Sequence, residues 1–353
     1  MKMKRRVVIL NDSAKMTGLG RYADYLSKAL GAELISLRKD KDIPIENYSG
    51  TVISGFFPPF FQSGWYLNQN YPSVFMRKAY KHLKKNVEKT DVLHYSSHKL
   101  RPLKLNCDSV VSILDLFPIK TEYNYSNSFR RTMAKSITEF KKFDNILTIS
   151  NHVRTQLLEE GFPDSVRVIY PPVAESFERL DVDKSVLRKK LNLPADKKLV
   201  LSVSTLDPRK NLKAVEETMS ILGSDFRLVR IGKPLNQSFT FQKIDDLTVN
   251  ELYNVCDVLL FPSIDEGFGY PIAEAFTTGL PVVCSDIEVF REIAEGAAVI
   301  SSTEPIQLKK AVLEAVEKSE ELSELGYLIK HRYSFETFKK GIGDYYAQTF
   351  PDV

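Results

Sequence analysis

Short runs of β-branched and aliphatic residues recur along the chain, and most are separated by segments whose apolar positions repeat every three or four residues. Turn-forming residues bound each run, so the runs are predicted to be strands and the segments between them helices. Apolar strands that alternate with helices are typical of parallel sheets covered on both faces. The predicted strands are residues 7–10, 51–54, 92–95, 109–114, 146–150, 166–170, 199–204, 227–232, 258–263, 281–285 and 297–300.

A change in composition divides this α/β pattern into two parts. Tyr170-Pro171-Pro172-Val173 ends one predicted strand, and residues 174–198 are polar and charged before the next apolar run. The 353 residues also exceed the usual size of a single core. We therefore expect two doubly wound, Rossmann-like domains that face each other across a cleft. They are residues 1–172, with segment 334–353 returning to pack on them, and residues 173–333.

The net charge of +4 is unevenly distributed. Residues 1–170 carry 27 basic and 16 acidic side chains, whereas residues 171–353 carry 22 and 29. A basic first half favours an anionic partner or surface. Cys107, Cys256 and Cys284 show no metal-ligand spacing, which fits a reducing compartment. Since no apolar run approaches the roughly 20 residues of a spanning helix, a cytoplasmic location is expected.

The stretch SIDEGFGYPIAEA, residues 263–275, joins a predicted strand to a predicted helix. Pro271 suits the first helical turn, and Gly279 suits the residue that follows the last turn. Glu266 is therefore placed on a loop at the carboxyl end of a strand, and Glu274 one turn into the helix. In open α/β sheets, ligands bind at the carboxyl ends of the strands, so both glutamates are candidate ligand-binding residues.

The same stretch combines groups suited to different parts of a nucleotide sugar. Gly267 and Gly269 allow a ligand to approach the backbone closely, and the N–H groups at a helix start suit a phosphate. A carboxylate only accepts hydrogen bonds, so Glu266 and Glu274 suit sugar hydroxyls. We therefore predict a nucleotide-sugar site. Two alternatives are a structural turn with solvated glutamates and the acid/base carboxylate pair of a glycoside hydrolase.

Two further segments offer phosphate-binding groups. In residues 202–212, Arg209 and Lys210 are placed at a predicted helix start, where cations oppose the helix dipole unless they face an anion. An arginine fork and a lysine charge both suit a diphosphate, although a solvated surface pair is an alternative. Gly18 and Gly20 follow the first strand without the spacing of a dinucleotide or P-loop motif, yet such a turn is able to hold one phosphoryl group.

Four segments, taken in order, make the chain resemble the retaining glycosyltransferases of family four, the mannosyltransferase-like group 1 enzymes with the GT-B fold. They are TGLGRYADYLSKAL, NILTISNHVRTQLLEEGFPDSVRVIYPPV, STLDPRKNL and CDVLLFPSIDEGFGYPIAEAFTTGLPVVCSD. The resemblance covers nearly the whole chain. It implies transfer of a hexose, with mannose or glucose favoured, from a nucleoside diphosphate sugar to a glycan or lipid-linked acceptor. It also implies retention of anomeric configuration and no metal requirement.

The resemblance further implies a role for each candidate residue. Glu274 would hold the ribose hydroxyls of the donor, and Glu266 the hydroxyls of the transferred sugar. Arg209 and Lys210 would hold the diphosphate in place of a metal ion, so no cofactor is expected. The base would lie against the backbone of residues 245–247. The backbone groups expected to complete the donor site belong to Gly18, Gly20, Gly267, Phe268 and Gly269.

Two departures from the family pattern affect these expectations. Relatives often carry an arginine shortly before the Arg-Lys pair, where this chain has Ser204-Thr205, and often a histidine where it has Leu114. Asp115 is then the predicted catalytic residue of the first domain. His94 or His98 is a candidate to supply a further polar group, and the alternative for each histidine is a structural role. Two other functions stay open: a nucleotide-sugar epimerase of the same fold, and a catalytically weak nucleotide-sugar-binding protein.

The first domain is expected to bind the acceptor and the second the nucleotide sugar, and two segments of the first half bear on the acceptor. Residues 56–66 are densely aromatic, and residues 77–89 place Tyr80, Leu83 and Val87 on one helical stripe among many cations. Together they suggest peripheral contact with the anionic inner face of a membrane, or with a lipid-linked acceptor. The alternative is a core-packing helix with a solvated lysine face and a loop. No nucleic-acid partner is expected.

Overall fold

The computed structural model divides the chain into two compact units. The described residues are 5–11, 13, 17–36, 51–52, 81, 83–85, 87, 91–99, 102–103, 105–120 and 127–353. The first unit comprises Met1–Pro171 and Phe335–Val353, and the second comprises Pro172–Ser334. The roles expected for them, acceptor binding and donor binding, stay predictions.

The first unit is built on a parallel sheet of seven strands. The strands are β1 (Val7–Asn11), β2 (Glu33–Ser36), β3 (Thr51–Val52), β4 (Val92–Tyr95), β5 (Asp108–Ser112), β6 (Ile146–Thr148) and β7 (Arg167–Val168). The helices whose bounds lie within the described residues are α1 (Gly18–Leu30), α2 (Asn127–Phe140), α3 (Asn151–Glu159), α11 (Phe335–Thr349) and a 3₁₀ helix at Phe117–Ile119. The strand order is β3-β2-β1-β4-β5-β6-β7, so the order reverses between β1 and β4.

Helix α11, at the end of the chain, is an integral part of the first unit. The ring of Phe338 meets that of Tyr22 in α1 edge to face, with centroids 5.9 Å apart. Both side chains are buried. The core beneath contains β-branched and aliphatic residues from the central strands, as the apolar runs predict.

The second unit is built on a parallel sheet of six strands. The strands are β8 (Lys198–Val203), β9 (Phe226–Ile231), β10 (Ser238–Phe241), β11 (Val258–Phe261), β12 (Val282–Ser285) and β13 (Val299–Ser301). The α-helices are α4 (Lys184–Lys190), α5 (Leu212–Leu222), α6 (Asp246–Val255), α7 (Tyr270–Thr278), α8 (Glu288–Ala294), α9 (Pro305–Glu317) and α10 (Ser319–Ile329). Two 3₁₀ helices lie at Pro208–Lys210 and Lys330–Tyr333. The strand order is β10-β9-β8-β11-β12-β13.

The strand order of the second unit determines where a ligand is expected. The order runs outward in one direction from β8 and in the other from β11, so these two neighbours form the switch point at which open α/β sheets bind ligands. Strand β8 leads to Arg209 and Lys210, and β11 leads to Glu266. The fold therefore brings these segments to one edge of the sheet.

The prediction of two parallel, doubly wound sheets is confirmed, and each of the eleven predicted strands has a counterpart. Two strands were not predicted. Strand β2 has only four residues and begins with Glu33, and β10 is a half-buried edge strand in which serine and threonine alternate with phenylalanine. Both lack the continuous apolar run that identified the others.

Candidate active site

The loop and helix of SIDEGFGYPIAEA form as the sequence predicts. Helix α7 carries Pro271 in its first turn and ends at Thr278, and the following Gly279 has a left-handed backbone and donates its N–H to the last turn. Gly269 has a φ of +107°, and a Cβ there would lie 2.9 Å from the ring of Phe290. Only glycine satisfies both conditions at this position, which fixes the path of the loop into the helix.

Glu274 is buried and is oriented by a tyrosine from the neighbouring helix. The Tyr253 hydroxyl of α6 donates to Oε2 of Glu274 across 2.6 Å. The Tyr253 ring packs edge to face against Phe177, with centroids 5.5 Å apart. A buried carboxylate is costly unless it accepts hydrogen bonds, so this contact offsets part of that cost and holds the Glu274 side chain in a fixed orientation.

Lys210 and Glu266 form an ion pair between Nζ and Oε1. Their side chains are only 17% and 10% exposed, so water screens the pair weakly. Lys210 Nζ also lies 5.5 Å from the centroid of the Phe261 ring at the end of β11. The two residues predicted to bind diphosphate and sugar thus bind each other.

Arg209 is buried and is held by Asp207, which the sequence analysis did not single out. Its Nε and Nη2 donate to the two carboxylate oxygens of Asp207 at 3.2 and 2.8 Å, and its Nη1 donates to the carbonyl of Asp265 at 3.2 Å. The segment lies on the 3₁₀ helix that immediately precedes α5, so the two cations lie just before the start of α5 and not in its first turn. Asp before Pro208 is a helix-capping pattern that could have indicated the role of Asp207.

Direct hydrogen bonds join the loops that follow β8 and β11. The amide of Ile264 donates to the carbonyl of Arg209 at 2.8 Å. With the Lys210–Glu266 pair and the Arg209–Asp265 contact, this bond fixes the two loops against each other. Arg209, Lys210 and Glu266 are therefore brought together, as the sequence predicts, and Glu274 lies in the helix that continues the second loop.

Arg230 places its guanidinium against Ser204, at the position where relatives often carry an arginine. Arg230 of β9 donates from Nη2 to the carbonyl and, at 3.1 Å, to the hydroxyl of Ser204. Its side chain is fully buried. A basic residue within a predicted buried strand was the sequence feature that could have indicated this contact.

The predicted residues of the first unit lie beyond β1 and β5. Gly18 and Gly20 occupy the first turn of α1, where the N–H of Gly20 donates to the Thr17 hydroxyl at 3.1 Å and caps the helix. Asp115 is half-buried past the end of β5, and Leu114 is buried. The amide of Gly20 thus has a capping role beside its predicted donor-binding role.

His94 has the structural role that was one of its two alternatives. Its Nε2 is 2.8 Å from the hydroxyl of Ser112, and its Nδ1 is 2.9 Å from that of Tyr346 in α11. Burial lowers the pKa of His94 to about 3, so the ring stays neutral at physiological pH. His98 is also buried, and its carbonyl accepts a bond from Ser136.

The segments assigned to the acceptor side are described only in part. Residues 56–66 and most of 77–89 lie outside the described residues. In the second segment, Leu83 and Val87 pack into the core of the first unit. Its described lysines, Lys81, Lys84 and Lys85, are exposed. The two described apolar residues therefore face the core, and the three described lysines face solvent.

The described part of the chain shows neither a cluster of metal ligands nor a helix suited to span a membrane. Within these residues, no group of three or more His, Cys, Asp or Glu side chains is placed to hold a metal ion. None of the described helices is both long enough and apolar enough to cross a membrane.

Family models match both units of the chain. Residues 16–177 match the model of Glycosyltransferase Family 4, and residues 183–332 match that of Glycosyl transferases group 1. The chain belongs to the group 1 glycosyltransferases of family 4. The segments that carried the resemblance in the sequence lie within, or within a few residues of, these matches.

Curated relatives of this family 4 chain include bacterial mannosyltransferases. The serotype-specific mannosyltransferase WbdA of Escherichia coli is 28% identical over 231 residues, which cover 57% of this chain and 28% of WbdA. The O-antigen chain mannosyltransferase RfbU of Salmonella typhimurium is 23% identical over 273 residues, which cover 72% of this chain and 73% of RfbU. The chain thus spans little more than a quarter of the length of WbdA.

Solved structures share the fold of the family 4 chain over nearly its whole length. Sucrose-phosphate synthase from Thermosynechococcus elongatus has a TM-score of 0.81 at 17% identity and covers 99% of this chain and 100% of its own. Anabaena HepE, solved in complex with UDP-glucose, has a TM-score of 0.77 at 17% identity and covers 97% and 99%. These likenesses confirm the predicted GT-B fold.

Proposed function

We propose that this chain transfers a hexose from a nucleoside diphosphate sugar to a glycan or lipid-linked acceptor, with retention of anomeric configuration and without a metal ion. The observation that carries the proposal is the switch point of the second unit. Two cations and two carboxylates lie there on adjoining segments. Asp207 fixes the orientation of Arg209, and Tyr253 fixes that of Glu274.

Arg209 and Lys210 would supply the positive charge that the departure of a nucleoside diphosphate requires. Negative charge develops on the leaving diphosphate, and preorganised cations in a water-poor site stabilise that charge. Arg209 is held by Asp207 and by the Asp265 carbonyl, so its guanidinium needs no reorganisation when the donor arrives. Lys210 becomes available when the diphosphate displaces Glu266, and Glu266 is then released to accept bonds from the hydroxyls of the transferred sugar.

The nucleoside part of the donor is assigned to α6 and α7. Tyr253 fixes the Glu274 carboxylate by donating to Oε2, and this carboxylate is proposed to accept hydrogen bonds from the ribose hydroxyls. Asp245 caps the start of α6 by accepting the amide of Thr248 at 2.7 Å, which fixes the backbone of residues 245–247 proposed to contact the base. Gly267, Phe268 and Gly269 would line the same site with backbone groups.

The donor sugar is proposed from the relatives. WbdA and RfbU are described as mannosyltransferases, and HepE was solved with UDP-glucose, so mannose and glucose donors are the first to test. From the first unit, Asp115 is proposed to act near the reacting sugar and the amide of Gly18 near the phosphate. Attack by the acceptor hydroxyl on the face that the nucleoside diphosphate leaves would retain the anomeric configuration.

We also propose peripheral contact of the first unit with anionic lipid, in a cytoplasmic protein. The exposed face formed by Lys81, Lys84 and Lys85 supports an electrostatic contact, and each lysine near such a surface contributes about 1 kcal/mol. Sedimentation with vesicles containing phosphatidylserine tests it. The triple change of these lysines to glutamate should abolish cosedimentation, and a wild type that does not cosediment contradicts the contact.

Product analysis tests the proposed transfer. The chain is incubated with UDP-, GDP- and ADP-linked mannose and glucose, with and without EDTA, and with extracted glycan and lipid-linked acceptors. The proposal predicts one productive donor, unchanged activity in EDTA, and a new glycosidic bond of the donor's anomeric configuration by NMR. An epimerised sugar with free nucleoside diphosphate and no glycoside, or an inverted linkage, contradicts it.

A further inference from the structure

The most deeply buried charge at the carboxyl edge of the second sheet is Arg230, which belongs to neither of the two loops described above. Its side chain is 0% exposed, and it heads the largest fully buried side chains. Burial lowers its pKa to about 10, so the guanidinium is still charged at neutral pH. No carboxylate of the described residues lies within ion-pair distance of it. Such a buried, unpaired charge is costly unless something compensates it.

Main-chain carbonyl groups provide part of that compensation. Nη1 of Arg230 donates to the carbonyls of Ser202 and Ile231, each at 3.0 Å, and Nη2 donates to both oxygens of Ser204. Nε has no hydrogen-bond partner among the described residues. The guanidinium fork thus bridges the end of β8, from Ser202 within the strand to Ser204 just after it. The segment that carries the cations follows immediately.

The neighbouring backbone is shaped to admit this fork. Gly232 has a φ of +138°, and a Cβ at this position would lie 2.8 Å from Nη2 of Arg230. The amide of Ser204 donates to the carbonyl of Ile231 at 3.3 Å, which ties the end of β8 to the end of β9. The sequence Arg230-Ile231-Gly232 therefore fixes the point at which the chain leaves β8.

Only three residues separate Ser204 from Pro208, which begins the cationic turn. Arg230 fixes the near end of this short segment, and Asp207 fixes the far end by accepting the amide and guanidinium of Arg209. The cations of the turn are each already paired with a carboxylate, Arg209 with Asp207 and Lys210 with Glu266. Arg230 is the positive charge of this group that lacks a carboxylate.

We infer that Arg230 is a positioning residue for diphosphate binding: it holds the end of β8 so that Arg209 and Lys210 meet the diphosphate, and the diphosphate supplies the negative charge that Arg230 lacks. The inference rests on the proposed function, since it requires a nucleoside diphosphate at this loop. On this view, Arg230 from β9 takes the place of the arginine that relatives often carry at the position of Ser204-Thr205.

The test compares nucleotides that differ only in phosphate number. UDP, GDP and ADP are first screened for binding to the wild-type chain by calorimetry. The diphosphate that binds, its monophosphate and its nucleoside are then titrated into Arg230→Lys and Arg230→Gln. Arg227→Lys and Arg227→Gln are matched controls, because Arg227 lies on the same strand and donates to two carbonyls, those of Ser224 and Phe226, at its other end.

The expected result is a loss that grows with phosphate number. Arg230→Gln should weaken diphosphate binding at least about tenfold, Arg230→Lys should weaken it less because the charge remains, and nucleoside binding should change by less than about twofold. The Arg227 variants should bind all three ligands as the wild type does. A purely structural role would not change the ratio of diphosphate to nucleoside affinity.

The outcomes separate this inference from the proposed function. If the wild type binds none of the three diphosphates, the proposed function fails. If the wild type binds one and both Arg230 variants bind it equally well, only the inference fails. Equal loss of nucleoside and diphosphate, or Arg230 variants that do not fold, would show that Arg230 serves the core alone and would likewise overturn it.

Discussion

Lys210 Nζ and Glu266 Oε1 form an ion pair, and both side chains are largely buried. Under the proposed function, the diphosphate and the Glu266 carboxylate compete for the same ammonium group. The two residues are then expected to have opposite effects on product binding, although both would be needed for turnover.

The competition predicts that Glu266→Gln binds the free nucleoside diphosphate more tightly than the wild type. Removing the carboxylate releases Lys210, so the dissociation constant should fall about tenfold, which corresponds to about 1.4 kcal/mol. Turnover should fall at least about tenfold, because the sugar loses an ionised acceptor. Calorimetry measures the first and product release the second.

Glu251→Gln is the matched control, since Glu251 pairs with Lys190 in the same unit and is similarly buried. It should leave both quantities unchanged. Weaker binding of the diphosphate by Glu266→Gln would contradict the exchange and show that Glu266 helps to hold the product.

The bond from Tyr253 to Glu274 predicts a defect specific to the ribose. Tyr253→Phe keeps the ring but removes the hydroxyl, so Glu274 loses a charge-assisted hydrogen bond of about 1.5–3 kcal/mol. The KM for the donor should rise about tenfold or more with little change in kcat. The ratio of kcat/KM for the donor to kcat/KM for the analogue that lacks the ribose 2′-hydroxyl should fall towards one.

Tyr333→Phe tests whether any buried hydroxyl has this effect. The Tyr333 hydroxyl is equally buried but donates to the carbonyl of Ile293 at 2.7 Å. This control should lower the melting temperature and leave the ratio of ribose to deoxyribose donors as in the wild type. If Tyr253→Phe also showed the wild-type ratio of ribose to deoxyribose donors, Tyr253 would not position Glu274 for the ribose.

Gly269→Ala should damage the donor site through two separate effects. A left-handed backbone strains any other residue by about 1–2 kcal/mol, and the added methyl group would also collide with Phe290. Gly296→Ala provides the control, because Gly296 has a φ of +88° but open space around its Cβ position. Thermal unfolding should show a larger loss for Gly269→Ala, and only this variant should lose affinity for the nucleoside diphosphate. Equal losses of stability would mean that the contact with Phe290 is unimportant.

Stability should depend on pH through His94. An unfolded histidine binds a proton near pH 6.5, whereas His94 in the folded chain does so only near pH 3. Between these values the unfolded state holds more protons, so the free energy of unfolding falls as the pH falls, by up to about 1.4 kcal/mol per pH unit.

The variant His94→Gln should reduce this dependence relative to the wild type in denaturant titrations between pH 6.5 and pH 4. His331→Gln removes an exposed histidine and should retain the wild-type slope. Identical slopes in His94→Gln and the wild type would contradict a buried, neutral His94.

The strands and the SIDEGFGYPIAEA turn could be predicted because their information is local. A run such as Val258–Phe261 is apolar at every position, and glycine or proline marks each end of the helix after it. By contrast, Tyr253 and Glu274 lie 21 residues apart, and Lys210 and Glu266 lie 56 apart. The second pair depends on β8 and β11 being neighbours in the sheet, and the first depends on the packing of α6 against α7. No local sequence pattern contains either relationship.

The basic segment of the first unit shows the limit of periodicity. A helical stripe indicates that one face is apolar but not what covers it. Leu83 and Val87 suit a protein core and a membrane equally well by sequence, and the structure places them in the core. For the same reason, the charge of Arg230 within a buried strand could be noticed in the sequence, but its partners could not be named.

The most direct test of the donor site is nucleoside diphosphate release from the productive donor by the wild type, Glu274→Gln and the exposed control Glu217→Gln. The account predicts saturable release by the wild type and Glu217→Gln, and a KM at least about tenfold higher in Glu274→Gln. Release that Glu274→Gln leaves unchanged would contradict the placement of the donor at this carboxyl edge of the second sheet.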